Sequence, residues 1–464
     1  MTRRLLLPLL LATAALADEG QPLTGHWKGW LEVPGAKLEI AVTLEEAAGK
    51  IDIPAQGAFG LALDQVELEA AAATFRIAGV PGEPTFRGTL GADGALAGEM
   101  TQGPAKVPFR LERAPEGPKG RPQDPKPPFP YATQEVTVRS GDVTLAGTLT
   151  LPPGEGPFPA ALLITGSGPQ DRDEALMGHR PFLVLADALA RAGIATLRLD
   201  DRGVGKSGGG DTQPTTADFA RDALAAVAFL RAQPRVAEDA VGLIGHSEGG
   251  VVAPLAATTG EGVAFVVMLA GTGVPGDQIL PAQLAAMSLA AGVPEEGVAR
   301  QRAAQEAALA LLRRDAPEGE VRAAVEAFVR VQLGLALPGQ EPAPAQVKQV
   351  VDAQLQMFAV PWWRFFLRHD PAEALRALSK PPVLVLNGEL DLQVLPDQNL
   401  PAIEAALRAA GNPDVTIERL PGLNHLFQTA KTGSPAEYAL IDETIAPAVL
   451  ERISGWILER FGRR

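Results

Sequence analysis

A serine with a glycine two residues to either side, Gly245-His246-Ser247-Glu248-Gly249, is where residue types and spacing first suggest chemistry. A serine hydroxyl is a weak nucleophile until a base removes its proton, and that base needs a third group to orient it. A strained turn between a buried strand and a helix presents such a serine, with the flanking glycines relieving the crowding. Here the apolar run Ala240 to Ile244 comes before the turn and the plausible helix from Gly249 comes after it. The alternative, a small residue in a glycine-rich bend, does not require that context on both sides.

The remaining groups are expected in the order acid, then histidine, each just past a later strand. After Pro381-Pro382-Val383-Leu384-Val385-Leu386-Asn387-Gly388 come Glu389 and Asp391, and Asp391 stands far enough beyond the strand to turn inward. Glu389 is the lesser candidate. Of five histidines, His425 in the run Leu423-Asn424-His425-Leu426 is the one that follows the acid. His179 and His369 precede it, His246 adjoins the serine and is expected to point away from it, and His26 reads as a packing or capping residue. The reading is therefore Ser247 as nucleophile, His425 as general base and then acid, and Asp391 as orienter. Attack on a carbonyl builds an oxyanion that needs preorganised donors. One is expected to be the backbone N–H of Glu248, and the other to come from the glycine-rich loop Gly166-Ser167-Gly168, with Ser167 chosen and Gly168 next. Asp171 and Arg172 read as braces for that loop. Gly205-Lys206-Ser207 is no phosphate loop, because the position five before Gly205 is Asp200 where a glycine is required.

Alternating strands and helices position these groups. From Glu135 onward the apolar runs AALLIT, VGLIG, FVVMLA and PVLVLNG read as strands buried on both faces, the pattern of a parallel sheet covered by helices. Residues from about 275 to 370 interrupt the alternation with helical periodicity, which predicts a cap over the sheet's carboxyl edge. Its end, PWWRFFLRHDP, concentrates aromatics in a chain with 5% of them. Trp362, Trp363 and Phe366 either line a pocket for an apolar substrate or glue the cap to the body. Before this region, residues from Gly25 to Arg113 alternate with period two, as in Leu38, Ile40, Val42 and Leu44, and predict a small antiparallel barrel or sandwich over 18–113. A Pro/Gly-rich stretch over 114–133 reads as a linker to a catalytic domain over 134–464.

Composition narrows the partners. With 464 residues, 46% hydrophobic and 21% charged, the chain is globular and long enough for more than one domain. A net charge of −14 repels phosphate backbones, which argues against nucleic acid, and zero cysteines exclude a thiolate nucleophile or disulfide. Residues 1–17 combine Arg3 and Arg4, an apolar core from Leu5, and Ala15-Leu16-Ala17, which predicts a cleaved export signal and a periplasmic or extracellular protein. No later apolar run is long enough to span a bilayer.

Taken together, ITGSGPQDRDE, DDRGVGKS, GHSEGG, PWWRFFLRHDP, NGELDLQV, LNHLFQ and DETIAPAVL resemble the α/β-hydrolase superfamily, and more closely its two-domain secreted bacterial carboxylesterases with a β-rich N-terminal domain. The resemblance implies an α/β-hydrolase fold with a helical cap behind a small all-β domain. It also implies hydrolysis of small carboxylic esters, typically with short acyl chains, by the triad Ser247, Asp391 and His425 without metal or organic cofactor. The alternatives are a prolyl-oligopeptidase-type serine peptidase, a thioesterase, and a non-catalytic protein that binds an envelope polymer.

Overall fold

The computed structural model describes residues 23–462, apart from 34–35, 54–57, 79, 81, 104, 115–120, 211–212 and 337–340. The expected export signal lies outside the described residues. The chain forms two compact units, residues 1–119 and 120–464.

The first unit is an antiparallel barrel of β1 (Gly25–Val33), β2 (Ala36–Leu44), β3 (Gly49–Ile53), β4 (Ala58–Leu68), β5 (Ala72–Ile77), β6 (Thr85–Leu90), β7 (Leu96–Gln102) and β8 (Ala105–Arg113). It closes because β1 pairs with both β2 and β8, with Trp27 opposite Val42 on one side and Leu31 opposite Phe109 on the other. Closure settles barrel against sandwich and leaves no strand edge open. The period-two apolar residues Ile40, Val42 and Leu44 point into its core, where Phe75 and Phe86 stack at 4.8 Å. His26 bonds through Nδ1 to the Thr43 hydroxyl at 2.9 Å, so it belongs to the barrel's own wall.

The second unit holds an eight-stranded sheet. Its strands are β9 (Ala132–Ser140), β10 (Val143–Leu151), β11 (Phe158–Ile164), β12 (Ala195–Leu199), β13 (Val236–His246), β14 (Val266–Leu269), β15 (Val383–Gly388) and β16 (Val415–Leu420). They lie in the order β16-β15-β14-β13-β11-β12-β10-β9. The pairs from β12 to β16 are parallel, and β10 runs antiparallel to both neighbours. Alternate residues of each central strand feed opposite cores, which is why these segments read as continuous apolar runs. Leu162, Leu243 and Val385 pack against α2 (Thr216–Arg231), α3 (Gly249–Thr259), α9 (Pro371–Ala377) and α10 (Pro396–Ala409). Leu163, Ile244 and Leu384 pack against α1 (Pro181–Ala192) and α12 (Pro447–Phe461).

Between β14 and β15 the chain leaves the sheet for α4 (Gly276–Ala290), α5 (Glu295–Arg313), α6 (Glu318–Ala336), α7 (Pro344–Ala359) and α8 (Pro361–Arg368). This insertion has its own small core of Ala308, Val321, Val325, Val329, Val347 and Val351. The short α11 (Pro435–Tyr438) completes the set. Among the described residues no helix is long and apolar enough to cross a membrane, and no cluster of three or more His, Cys, Asp or Glu suits a metal ion.

Candidate active site

Strand β13 ends at His246 and α3 begins at Gly249, so the turn between them has room for two residues, Ser247 and Glu248. Ser247 adopts φ +53°, a left-handed conformation that costs a non-glycine residue about 1–3 kcal/mol. The strain is held by its N–H donating to the Leu269 carbonyl at 2.8 Å. Glycine is required on both sides: a Cβ on Gly245 would fall 1.9 Å from the Gly249 carbonyl oxygen, and one on Gly249 would fall 2.2 Å from that of Ile164. The tightness of this turn lifts Ser247 off the sheet toward a cavity of about 880 Å³, which His425 also lines.

The acid and the histidine meet as the chain order predicts. His425 Nδ1 lies 2.8 Å from Asp391 Oδ2, and the two residues are 4% and 2% exposed. The other Asp391 oxygen accepts the N–H groups of Gln393 and Val394 at 2.8 Å each, while Asn387 Nδ2 donates to Oδ2 at 3.0 Å. A carboxylate saturated in this way is fixed in position and stays an acceptor for the imidazole. The loop carrying His425 is tied down by buried Asn424, whose side-chain oxygen accepts the N–H groups of Leu426 and Gln428. Glu389, the lesser candidate for the acid, instead accepts the N–H of Gly422 and takes no part in this arrangement.

The loop after β11 borders the same cavity. A Cβ on Gly166 would lie 3.3 Å from Ser247 Cβ, so the backbone passes directly beside the serine. The Gly166 N–H is committed to Glu174 Oε1 at 2.7 Å, and the Gln170 N–H to Asp201 at 3.0 Å. Those two bonds anchor either end of the segment containing the Ser167 and Gly168 N–H groups. Braces further out behave as their sequence suggests. Arg172 grips Asp200 with two guanidinium nitrogens at 2.9 and 2.8 Å, and Asp171 accepts the N–H groups of Asp173 and Ala175. The turn after Asp200 closes on it through the Lys206 N–H and the Ser207 hydroxyl.

Several groups at the site carry weight that the sequence did not signal. His246 does not simply point away; its ring lies 4.9 Å from that of His425. Its Nδ1 contacts the Glu174 carboxylate at 2.9 Å and its Nε2 the carbonyl of His425 at 3.0 Å. Both partners offer acceptor oxygens, an arrangement that favours the charged form of the ring. Burial works against that charge, but Glu174, the His425 carbonyl and Asp391 together raise the pKa above its ordinary value. Asp201 is pushed up to about 7 by burial, against the opposing hydrogen bonds from Gln170 and Thr165. Burial likewise raises Glu248, with bonds from Thr216, Trp362 and Ser167 pulling the other way. A spacing rule finds the serine; it does not find carboxylates recruited from separate loops.

The cap supplies an aromatic wall. Trp362, Trp363, Phe365 and Phe366 on α8 all line the cavity. Trp362 stacks on Phe366 at 5.0 Å and meets Trp363 edge-on at 4.9 Å. These rings border the pocket, and Trp362 also bonds Glu248 of the body at 2.7 Å, so the pocket and the gluing readings of PWWRFF coexist.

A family model described as serine aminopeptidase, S33, matches residues 180–325, a span that includes Ser247 and stops short of Asp391 and His425. The chain is 27% identical to Esterase EstD of Thermotoga maritima over 383 residues, covering 82% of this chain and 77% of that protein. Among solved structures, the esterase Pf2001 of Pyrococcus furiosus is 16% identical with a TM-score of 0.44, over 74% of this chain and 98% of that one. The hydrolase GrgF of Penicillium sp. sh18 is 19% identical with a TM-score of 0.44, over 72% of this chain and all of that one.

Proposed function

We propose that this chain, which belongs to the α/β-hydrolase superfamily, is a serine carboxylesterase that works through an acyl-enzyme on esters with short acyl chains. The observation that carries the proposal is the 2.8 Å contact of His425 Nδ1 with a fully engaged Asp391, in a cavity shared with a left-handed Ser247. In this reading His425 Nε2 takes the Ser247 proton as Oγ attacks the ester carbonyl. Asp391 keeps the Nδ1–H in place and stabilises the imidazolium that forms. The oxyanion is received by the N–H of Glu248, at the start of α3, and by that of Ser167. His425 then protonates the departing alcohol, and water repeats the sequence to release the acid.

An ester is favoured over a peptide by the state of the cavity's acids. A peptidase that reads a free amino terminus needs a carboxylate available to it, whereas Glu174, Asp201 and Glu248 are each engaged by protein donors. The aromatic wall supports an apolar substituent, and the bond from Trp362 to Glu248, the residue after the serine, supports a short acyl chain. Export is part of the proposal, resting on the pattern of residues 1–17; N-terminal sequencing of the protein recovered outside the cytoplasm should begin at Asp18.

The test is hydrolysis of nitrophenyl esters from acetate to decanoate by wild type beside Ser247→Ala. Wild type should turn over the short esters fastest, and the variant should lose at least about a thousandfold in kcat/KM. Equal rates in the two proteins would remove Ser247 from the chemistry, and faster turnover of decanoate than of acetate would remove the short-chain preference.

A further inference from the structure

We propose that the Glu248 side chain sets the substrate range of this site by pinning the Trp362 indole as a fixed wall of the cavity. The proposal rests on the esterase reading and adds a specificity-determining residue to it.

Glu248 follows the nucleophile, yet its side chain leaves the turn in the direction of the cap. Its Oε1 accepts the indole N–H of Trp362 at 2.7 Å and the hydroxyl of Thr216 at 2.7 Å. The carboxyl therefore links the turn that carries Ser247 to the first residue of α2 and to the aromatic helix α8, and takes a further bond from Ser167 on the loop after β11. Glu248 is 7% exposed and Thr216 2%, so the carboxylate is shielded from water and relies on its protein donors. An indole N–H can only donate, and leaving the buried Glu248 carboxyl without a donor is costly, so the acceptor depends on Trp362.

Apolar packing alone would not fix the wall. Stacked and edge-on aromatic contacts such as those of Trp362 with Phe366 and Trp363 tolerate sliding and tilting, whereas an N–H···O bond fixes one edge of the ring. With that edge fixed, Trp362 and Phe366 present a nearly parallel pair, 10° apart, to the cavity that Ser247 and His425 share. Releasing the bond frees the ring to turn aside, and the space it vacates admits a longer chain.

What the indole needs is an acceptor oxygen rather than a charge. That distinction supplies the control: Glu248→Gln keeps an oxygen where the bond needs it, Glu248→Met keeps the length of the side chain without one, and Trp362→Phe keeps a ring without the donor. Across the nitrophenyl series, the octanoate-to-acetate ratio of kcat/KM should rise about fivefold to tenfold in Glu248→Met and in Trp362→Phe, the scale of one buried hydrogen bond. The change should come from a lower KM for octanoate. The double variant should rise no further than either single one, and Glu248→Gln should keep the wild-type ratio. In parallel, the indole N–H resonance of Trp362, assigned by its loss in Trp362→Phe, should move upfield in Glu248→Met and stay in place in Glu248→Gln. Wild-type ratios in both Glu248→Met and Trp362→Phe, an equal shift in Glu248→Gln and Glu248→Met, or an indole resonance that ignores Glu248→Met would each overturn the proposal. Absence of ester hydrolysis in wild type, with the indole shift still seen, would overturn the esterase reading and with it the substrate claim.

Discussion

Two histidines stand ring to ring beside Ser247, and their hydrogen bonds give them different work. In the proposed mechanism His425 gains and loses a proton, whereas His246 is held at both nitrogens by Glu174 and the His425 carbonyl. Burial lowers the pKa of His246, but Glu174, the His425 carbonyl and Asp391 facing it together hold that pKa above the ordinary value. A raised value means that the stability it contributes is complete below about pH 6.5 and is lost as pH climbs through the raised pKa. His246→Gln should therefore flatten the alkaline fall in thermal stability. It should also lower kcat about tenfold with KM nearly unchanged, because a misplaced base costs rate rather than binding; a parallel alkaline fall in the two proteins would contradict this role. Asp201 gives a second test in a different window. With its pKa pushed up to about 7, the folded chain holds a proton that the unfolded chain has released, so stability falls between about pH 4 and 7 at this site. Asp201→Asn should remove that fall, raising the melting temperature at pH 8 relative to pH 5 when compared with wild type. The sequence made Ser247, Asp391 and His425 legible because a fixed turn and a fixed chain order constrain them. It did not reveal His246, Glu174 or Asp201, whose partners lie between 8 and 179 residues away and follow no spacing rule.

At the scale of elements, the turn from β13 to α3 leaves no room for a side chain at either flanking glycine. Gly249→Ala would drive a Cβ to 2.2 Å from the Ile164 carbonyl oxygen, and backbone on the neighbouring strand cannot move aside as a side chain would. This substitution should destabilise the protein by more than about 3 kcal/mol and abolish activity, read as a lost or lowered thermal transition. Gly319→Ala on α6, where a Cβ meets nothing, should leave the transition in place or raise it slightly. The sheet was legible for a related reason: strands buried on both faces cannot alternate polar with apolar, so AALLIT and VGLIG identify themselves. Which of two neighbouring strands lies beside which is another matter. The order in which β12 lies between β11 and β10 depends on how helices cover the two faces, and no local pattern encodes it. The period-two runs of the first unit likewise fix strands and leave closure open, since a sandwich and a barrel use the same alternation.

At the scale of the whole molecule, the chemistry is concentrated in one unit. Every group discussed at the site falls between Ile164 and Gln428, inside the unit spanning 120–464, while the barrel has a separate core built from Trp27, Ile40, Phe75 and Phe86. A chain comprising residues 120–464 should therefore fold and hydrolyse nitrophenyl acetate within about threefold of the full chain's kcat/KM; a loss of a hundredfold or more in a folded fragment would mean that the barrel acts in catalysis. The central claim is more specific than activity: Ser247 Oγ becomes covalently bonded to the substrate's acyl group. The most direct measurement is intact-mass and peptide analysis after incubation with a nitrophenyl phosphonate, which traps an activated serine as a stable ester. One phosphonyl group per chain, located on Ser247 and absent from Ser247→Ala and His425→Ala, is the predicted result. An active protein that takes up no phosphonyl group at Ser247, or takes it up equally without His425, would contradict the account.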